Sequence, residues 1–323
     1  MTKNQFLTDS EEYLGRLRPN TAESTYKEKR RKLTCICKVM YNLYQEKKIS
    51  TSNPKKLKAE DISTYVAYRR NFVADTTIHK DLGLIAGLLD YVGNNAMRVY
   101  RSTCGNSKPR NYLGRYEPLP DRTIERVFEL ARSTDRWNIL QGCVAVILSC
   151  SAGLRPQESR KLYASDVNLK SDPPTIRVMH VKGEGSWGKP RTVIVNDGVV
   201  DILDKYMKMR EVRVKLTCPG SDAMFPPLRG DDEFITQQSM CRFKEYVTRI
   251  LKKEGYPDFA LRDGRRAYGQ RMLDRGVPIE LVSHCMGHQS VETTQKFYAD
   301  YDDRSVIMQV AAYNRGTAVP GGL

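Results

Sequence analysis

The stretch "WNILQGCVAVILSCSAGL", residues 137–154, constrains the fold more than any other part of the chain. A helix made from it is apolar almost all round, so it has to be covered on every side. A bilayer span needs about 20 consecutive apolar residues, and this run is shorter and broken by polar ones. It predicts a buried helix at the centre of a helical domain. With 323 residues, the chain is long enough for two such domains, each with its own core.

The first half carries its own helical signal. In "TAESTYKEKRRKLTCICKVMYNLYQEKK", residues 21 to about 48, Leu33, Ile36, Val39, Met40 and Leu43 recur at helical spacing. "AEDISTYVAYRR" and "TTIHKDLGLIAGLLDYVG" read as further helices, and no strand pattern occurs before residue 105. The polar, Gly- and Pro-bearing "STCGNSKPRNYLGRYEPLPD" reads as a linker. The expected division is a helical domain over 1–105, a linker over 106–117 and a second domain over 118–323. In the second, "PTIRVMHV" and "RTVIVND" are short β-branched runs separated by "KGEGSWGKP", a hairpin pattern with a long glycine-rich turn. Helices are expected at about 197–212, 234–253, 264–275, 278–285 and 291–300, and "DRSVIMQVAAYN" could form one more. The fold class is mainly α: an all-helical N-terminal domain, then a mixed α/β domain with a small antiparallel sheet.

Charge points to the partner. The formal net charge is +15, and residues 1–110 hold 21 basic against 11 acidic residues. A basic front half suits a polyanion. Lys27, Lys29, Arg30, Arg31 and Lys32, in "KEKRRK", would make a basic face on one helix, suited to salt-dependent contact with DNA phosphates. The eight cysteines form no CxxC pair, which argues against zinc and for reduced thiols. No signal-peptide pattern opens the chain, so a cytoplasmic protein without a membrane span is expected.

Two segments place arginines at helix starts. In "AGLRPQESRKL", Pro156 suits a first helical turn, which sets Arg155 at the start. In "LRDGRRAYGQRMLDRG", Asp263 is the expected N-cap and Gly276 the stop, with Arg262, Arg265 and Arg266 in or beside the first turn. A helix N-terminus already presents partial positive charge, so cations gathered there suggest a bound anion. Side chains splayed into solvent are the alternative. Guanidinium forks match two phosphate oxygens and can stabilise a five-coordinate phosphorus. Downstream, "CMGHQSVETTQKFYADYDD" offers Ser290 as the cap of a helix running through Tyr298, with His288 just ahead. A phenol of pKa about 10 needs neighbouring positive charge to act as a nucleophile, and taken singly Tyr298 could equally be a packing residue.

Together these segments resemble the tyrosine recombinase family of phage integrases and Xer-type enzymes, over about residues 118–302. "AGLRPQE" is similar to the box of the family's first arginine, here Arg155, with Glu158 as the acidic residue after it. "VKGEGSWGKPRTVIV" is similar to the hairpin of the catalytic lysine, placed at Lys182 with Lys189 as the alternative. In the C-terminal signature Arg265 matches the second arginine, His288 the His/Trp position and Tyr298 the nucleophile, with Tyr301 a weaker candidate. Two departures stand out. Arg262 occupies a position that is usually histidine, and an arginine cannot serve as a general base. Tyr298 follows His288 by ten residues, one more than in many members.

The resemblance implies a tyrosine recombinase fold whose two domains clamp double-stranded DNA. It implies cutting and rejoining through a 3′-phosphotyrosine, as in the integrase of a mobile element, with no metal or other cofactor. It implies work as a homotetramer on two DNA sites. The alternatives are a DNA-binding regulator of the same fold without catalysis and, among enzymes, a type IB topoisomerase. His79 and His180 read as structural or exposed, and His284 as a packing residue. Trp187, in the hairpin turn, is either a DNA contact or an exposed loop aromatic.

Overall fold

The buried helix of 137–154 exists and organises everything around it. In the computed structural model, α7 runs Trp137–Ser151, and every residue from Ile139 to Ser151 is buried. The structure describes residues 5–103, 109, 117–196, 198–227 and 232–298, the last three by backbone alone. The chain divides into two compact units, Met1–Gly114 and Arg115–Leu323.

The described part of the first unit is helical: α1 (Gln5–Leu17), α2 (Glu23–Gln45), α3 (Ala59–Arg70), α4 (Asp75–Tyr91) and α5 (Ala96–Thr103). Leu33, Ile36, Met40 and Leu43 form the apolar stripe of α2 and are buried, as their spacing requires. They share a core with Phe6 and Leu14 of α1, Ile62 and Tyr65 of α3, and Ile78, Ile85 and Leu89 of α4. An ion pair sits at the edge of this core. The buried Asp81 accepts hydrogen bonds from the Tyr65 hydroxyl at 3.0 Å and from Arg69 at 3.2 Å. Helices α1 and α5 lie outside the segments whose spacing predicts a helix.

The second unit consists of α6 (Asp121–Ser133), α7, α8 (Pro156–Arg160), β1 (Val167–Asn168), β2 (Thr175–Val178), β3 (Arg191–Ile194), α9 (Val200–Thr217), α10 (Gln237–Lys253), α11 (Leu261–Asp274), α12 (Ile279–Met286) and α13 (Val291–Tyr298). Helix α7 packs against α6, α8, α9, α10 and α11. It approaches α10 so closely that a Cβ on Gly142 would sit 2.3 Å from the Phe243 carbonyl oxygen. The sheet is antiparallel in the order β1–β2–β3, with Ile176 opposite Val193. Alternation along the hairpin turns Ile176, Val178, Val193 and Val195 into the core. Strand β1 adds an edge beyond the expected hairpin. The expected final helix, "DRSVIMQVAAYN", lies outside the described residues.

Among the described residues, no helix is long and apolar enough to cross a membrane. No group of His, Cys, Asp or Glu could hold a metal ion among them. The seven cysteines among them are free thiols.

Candidate active site

Arg155 leaves α7 through a tight corner and caps α8. Glu158, three residues on, folds back on it. Its carboxylate accepts the Arg155 backbone N–H at 2.9 Å and the Arg155 Nη1 at 2.8 Å. The other arm, Nη2, donates to the Gly287 carbonyl at 2.8 Å. The Glu158 side chain is 1% exposed and that of Arg155 is 23%, so the carboxylate is sealed while the guanidinium reaches an opening.

Two more arginines meet the same carboxylate. Arg191, the first residue of β3, donates to both Glu158 oxygens, at 3.1 and 2.8 Å, and to the Cys285 carbonyl at 2.7 Å. Arg265 is buried on α11 and lies 3.9 Å from Glu158. Its guanidinium donates to the carbonyls of Gly153 and Met286 and, at 3.1 Å, to His288 Nε2. Burial alone would raise the Glu158 pKa. The hydrogen bonds from Arg191 and the charges of Arg191, Arg155 and Arg265 overcome it and hold the pKa at about 2.

His288 reports the field of this cluster. Arginine only donates, so Nε2 accepts from Arg265 and the ring proton sits on Nδ1, 2.8 Å from the Thr294 hydroxyl. Burial, and then the charges of Arg265, Arg155 and Arg191, push its pKa down to about 3. The neighbourhood is therefore strongly positive even with Glu158 ionised. Gly287 completes the turn ahead of His288 with φ +60°, and a Cβ there would meet Arg191 Nη1 at 2.9 Å. Glycine meets both demands.

Three expectations about individual residues are corrected. Asp263 is not the N-cap of α11. Ala260 is, and Asp263 is the third helical residue, its carboxylate accepting the Ala260 N–H at 2.7 Å. Asp263 also pairs with Arg266 at 2.5 Å, so this helix start already has its anion. Arg265 lies in the second turn and is drawn away to the carbonyls of other segments. Lys182 does not end a strand. Strand β2 stops at Val178, and Lys182 lies beyond it in an exposed turn, as does Lys189. His284 is exposed rather than packed. Arg262 is exposed in the first turn of α11, and it makes no hydrogen bond or ion pair among the described residues.

Tyr298 is the last residue of α13, a helix packed on α11 and α12. Its side chain lies outside the described residues, as does all of Tyr301. The structure thus brings together Arg155, Arg265 and His288, joined by Glu158, Arg191 and Thr294. Arg191 was missed. Its signal was a charged residue at an inward position of an alternating strand, in register with Val193 and Val195.

The family model described as the phage integrase family matches residues 122–304. The chain belongs to the phage integrase family, the tyrosine recombinases. This recombinase-family chain is 22% identical to tyrosine recombinase XerC of Bradyrhizobium diazoefficiens, over 93% of this chain and 89% of that one. It is 23% identical to XerC of Mesorhizobium japonicum, over 74% and 73%. Among solved structures, it resembles the Tn1549 transposon integrase in complex with transposon right end DNA, with TM-score 0.68 and 15% identity over 96% of this chain and 99% of that one. It also resembles XerH site-specific recombinase bound to its difH substrate, with TM-score 0.65 and 15% identity over 95% and 84%. At these identities the structural likeness shows the fold: mainly helical, with a small antiparallel sheet.

In the first unit of the recombinase, the basic run of α2 does not form one face, because successive helical residues point about 100° apart. Lys27, Arg30 and Arg31 pair with Glu23, Glu11 and Glu28 at 3.5, 3.1 and 2.9 Å. Lys32 lies farther from its acidic neighbour, 3.9 Å from Glu28, and Lys29, Lys32 and Lys80 of α4 line a groove that Glu28 also lines.

Proposed function

We propose that this chain is a site-specific DNA recombinase that cuts and rejoins duplex DNA through a 3′-phosphotyrosine at Tyr298, as the integrase of a mobile element. The observation that carries the reading is the half-buried, net-positive cluster in which Arg155, Arg265 and His288 are drawn together around Glu158. It lies beside a helix that ends on a tyrosine. Thr294, bonded to His288, precedes Tyr298 by four residues, one helical turn, and residues so spaced share a helix face.

In this reading the Tyr298 phenol gives up its proton to solvent, helped by the positive charge of the arginines, and its phenolate attacks the phosphorus of a backbone phosphodiester. The 5′ oxygen leaves and takes a proton from the Lys182 ammonium. A 5′-hydroxyl of the partner strand then attacks the phosphotyrosine, its proton returns to the lysine, and the tyrosine leaves as the phenolate, which takes a proton back from solvent. One phosphoester replaces another at each step, so the exchange is close to neutral in energy. Arg155 and Arg265 donate to the non-bridging oxygens, where charge grows in the transition state. Once the anion offsets the arginine field, His288 takes a proton on Nε2 and donates a hydrogen bond from it to the phosphate. Arg262 contributes charge and hydrogen bonds and no proton transfer. The groove of Lys29, Lys32 and Lys80 meets backbone phosphates. Work on two sites as a homotetramer belongs to the same reading.

A nicked suicide duplex carrying the element's attachment site tests it. Wild-type protein is expected to trap a covalent adduct and Tyr298→Phe none. No adduct with wild type, alongside specific binding to the site, would assign the chain to DNA-binding regulation.

A further inference from the structure

Resting on that reading, we propose that Arg191 is a positioning residue for catalysis. It sets the spacing between Arg155, the turn that carries His288 and the hairpin that carries Lys182, without itself touching DNA. Its guanidinium spans pieces of chain that share no local structure. Two arms hold both Glu158 oxygens, and Glu158 in turn orients Arg155. The third nitrogen, Nε, holds the Cys285 carbonyl, two residues before the carbonyl that receives Arg155 and three before His288. The Cα belongs to β3, the strand that closes the loop of Lys182. Its side chain is 4% exposed, against 23% for Arg155, so Arg191 faces inward while Arg155 faces the opening.

The charge matters as much as the fork. Glu158 is buried and needs cationic partners to stay ionised. With Arg191 in place, the carboxylate has two strong hydrogen bonds that compete with no phosphate. Without them, its whole charge falls on Arg155, which it already holds at 2.8 Å, and on Arg265 at 3.9 Å, and both are drawn farther inward. Arg191 thus keeps two phosphate-binding groups available by occupying their common counter-ion.

The test is single-turnover cleavage of the nicked attachment-site duplex by the full chain, with the Kd for the same duplex measured alongside. Arg191→Met is expected to slow cleavage about hundredfold at saturating DNA while Kd stays within about threefold. Arg191→Lys keeps the charge, loses the fork and should fall between. Adding Glu158→Gln to Arg191→Met removes the carboxylate that recaptures the arginines, so the double variant should cleave faster than Arg191→Met alone. Arg191→Met that melts cooperatively and cleaves within about threefold of wild type would overturn the proposal. So would a double variant slowed by the full product of the single effects, or cleavage and binding lost in parallel. If Arg191→Met does not fold, Arg191→Lys decides: a rate equal to wild type overturns the proposal, and a slower rate at unchanged Kd supports it. A wild type that forms no adduct fails the recombinase reading itself, which is a separate outcome.

Discussion

Arg155 is the most exposed of the three arginines on Glu158, and its loss should spare the core. Arg155→Ala is expected to lower the single-turnover cleavage rate by about 10²–10³, the usual scale for one lost transition-state donor, with the melting temperature nearly unchanged. His288 gives a pH signature. Its folded pKa of about 3 lies below the unfolded value, so between the two the unfolded chain binds a proton that the native one refuses. Stability is fully present above about pH 6.5 and falls as the pH drops toward 3. Between pH 6.5 and 5, above the range where carboxylates such as Glu158 titrate, wild type should lose melting temperature more steeply than His288→Gln. At Gly287 any side chain meets both a left-handed backbone and Arg191. Gly287→Ala should cost about 1–3 kcal/mol in chemical denaturation.

The hairpin is the element that separates the two lysines. Its turn is closed by backbone bonds from Glu184 to Val181 at 3.2 Å and from Gly188 to Gly183 at 2.8 Å, and both Lys182 and Lys189 are exposed on it. If Lys182 is the proton donor, Lys182→Ala should cut cleavage by about 10²–10⁴ on an ordinary phosphodiester. The loss should shrink on a substrate whose leaving 5′ oxygen is replaced by sulfur, because a thiolate leaves without a proton. Lys189→Ala should show neither effect, and the reverse pattern would move the role to Lys189. The turn composition made this hairpin legible in advance. The position of Lys182 within it was not, because strand ends depend on which backbone groups find partners across the sheet.

At the scale of the whole molecule, the proposed function has the basic excess act through phosphate contacts. Each neutralised phosphate contributes roughly 0.9 to the slope of log affinity against log salt. Replacing Lys29, Lys32 and Lys80 together with glutamine should flatten that slope by about 2–3, and cleavage at saturating DNA should stay near wild type. Arg30 and Arg31 have closer acidic partners, at 3.1 and 2.9 Å, than Lys32, which lies 3.9 Å from Glu28, and replacing them should move the slope less.

By itself the sequence determined the main elements and marked the residues that the proposed reading uses. The all-apolar run predicts α7, the spacing of Leu33 to Leu43 predicts the buried stripe of α2, and the motif residues mark Arg155, Arg265, His288 and Tyr298. Such features follow from local pattern, since helical period and turn chemistry act over a few residues. Only the tertiary structure decided that Arg265 sits in the second turn of α11 and reaches the carbonyls of Gly153 and Met286, and that Arg191 and Thr294 join the same cluster. Those choices rest on contacts such as Arg155 to Gly287, 132 positions apart. A buried charge takes whatever partner packing brings within reach, and packing is set by the whole core rather than by neighbours in the chain.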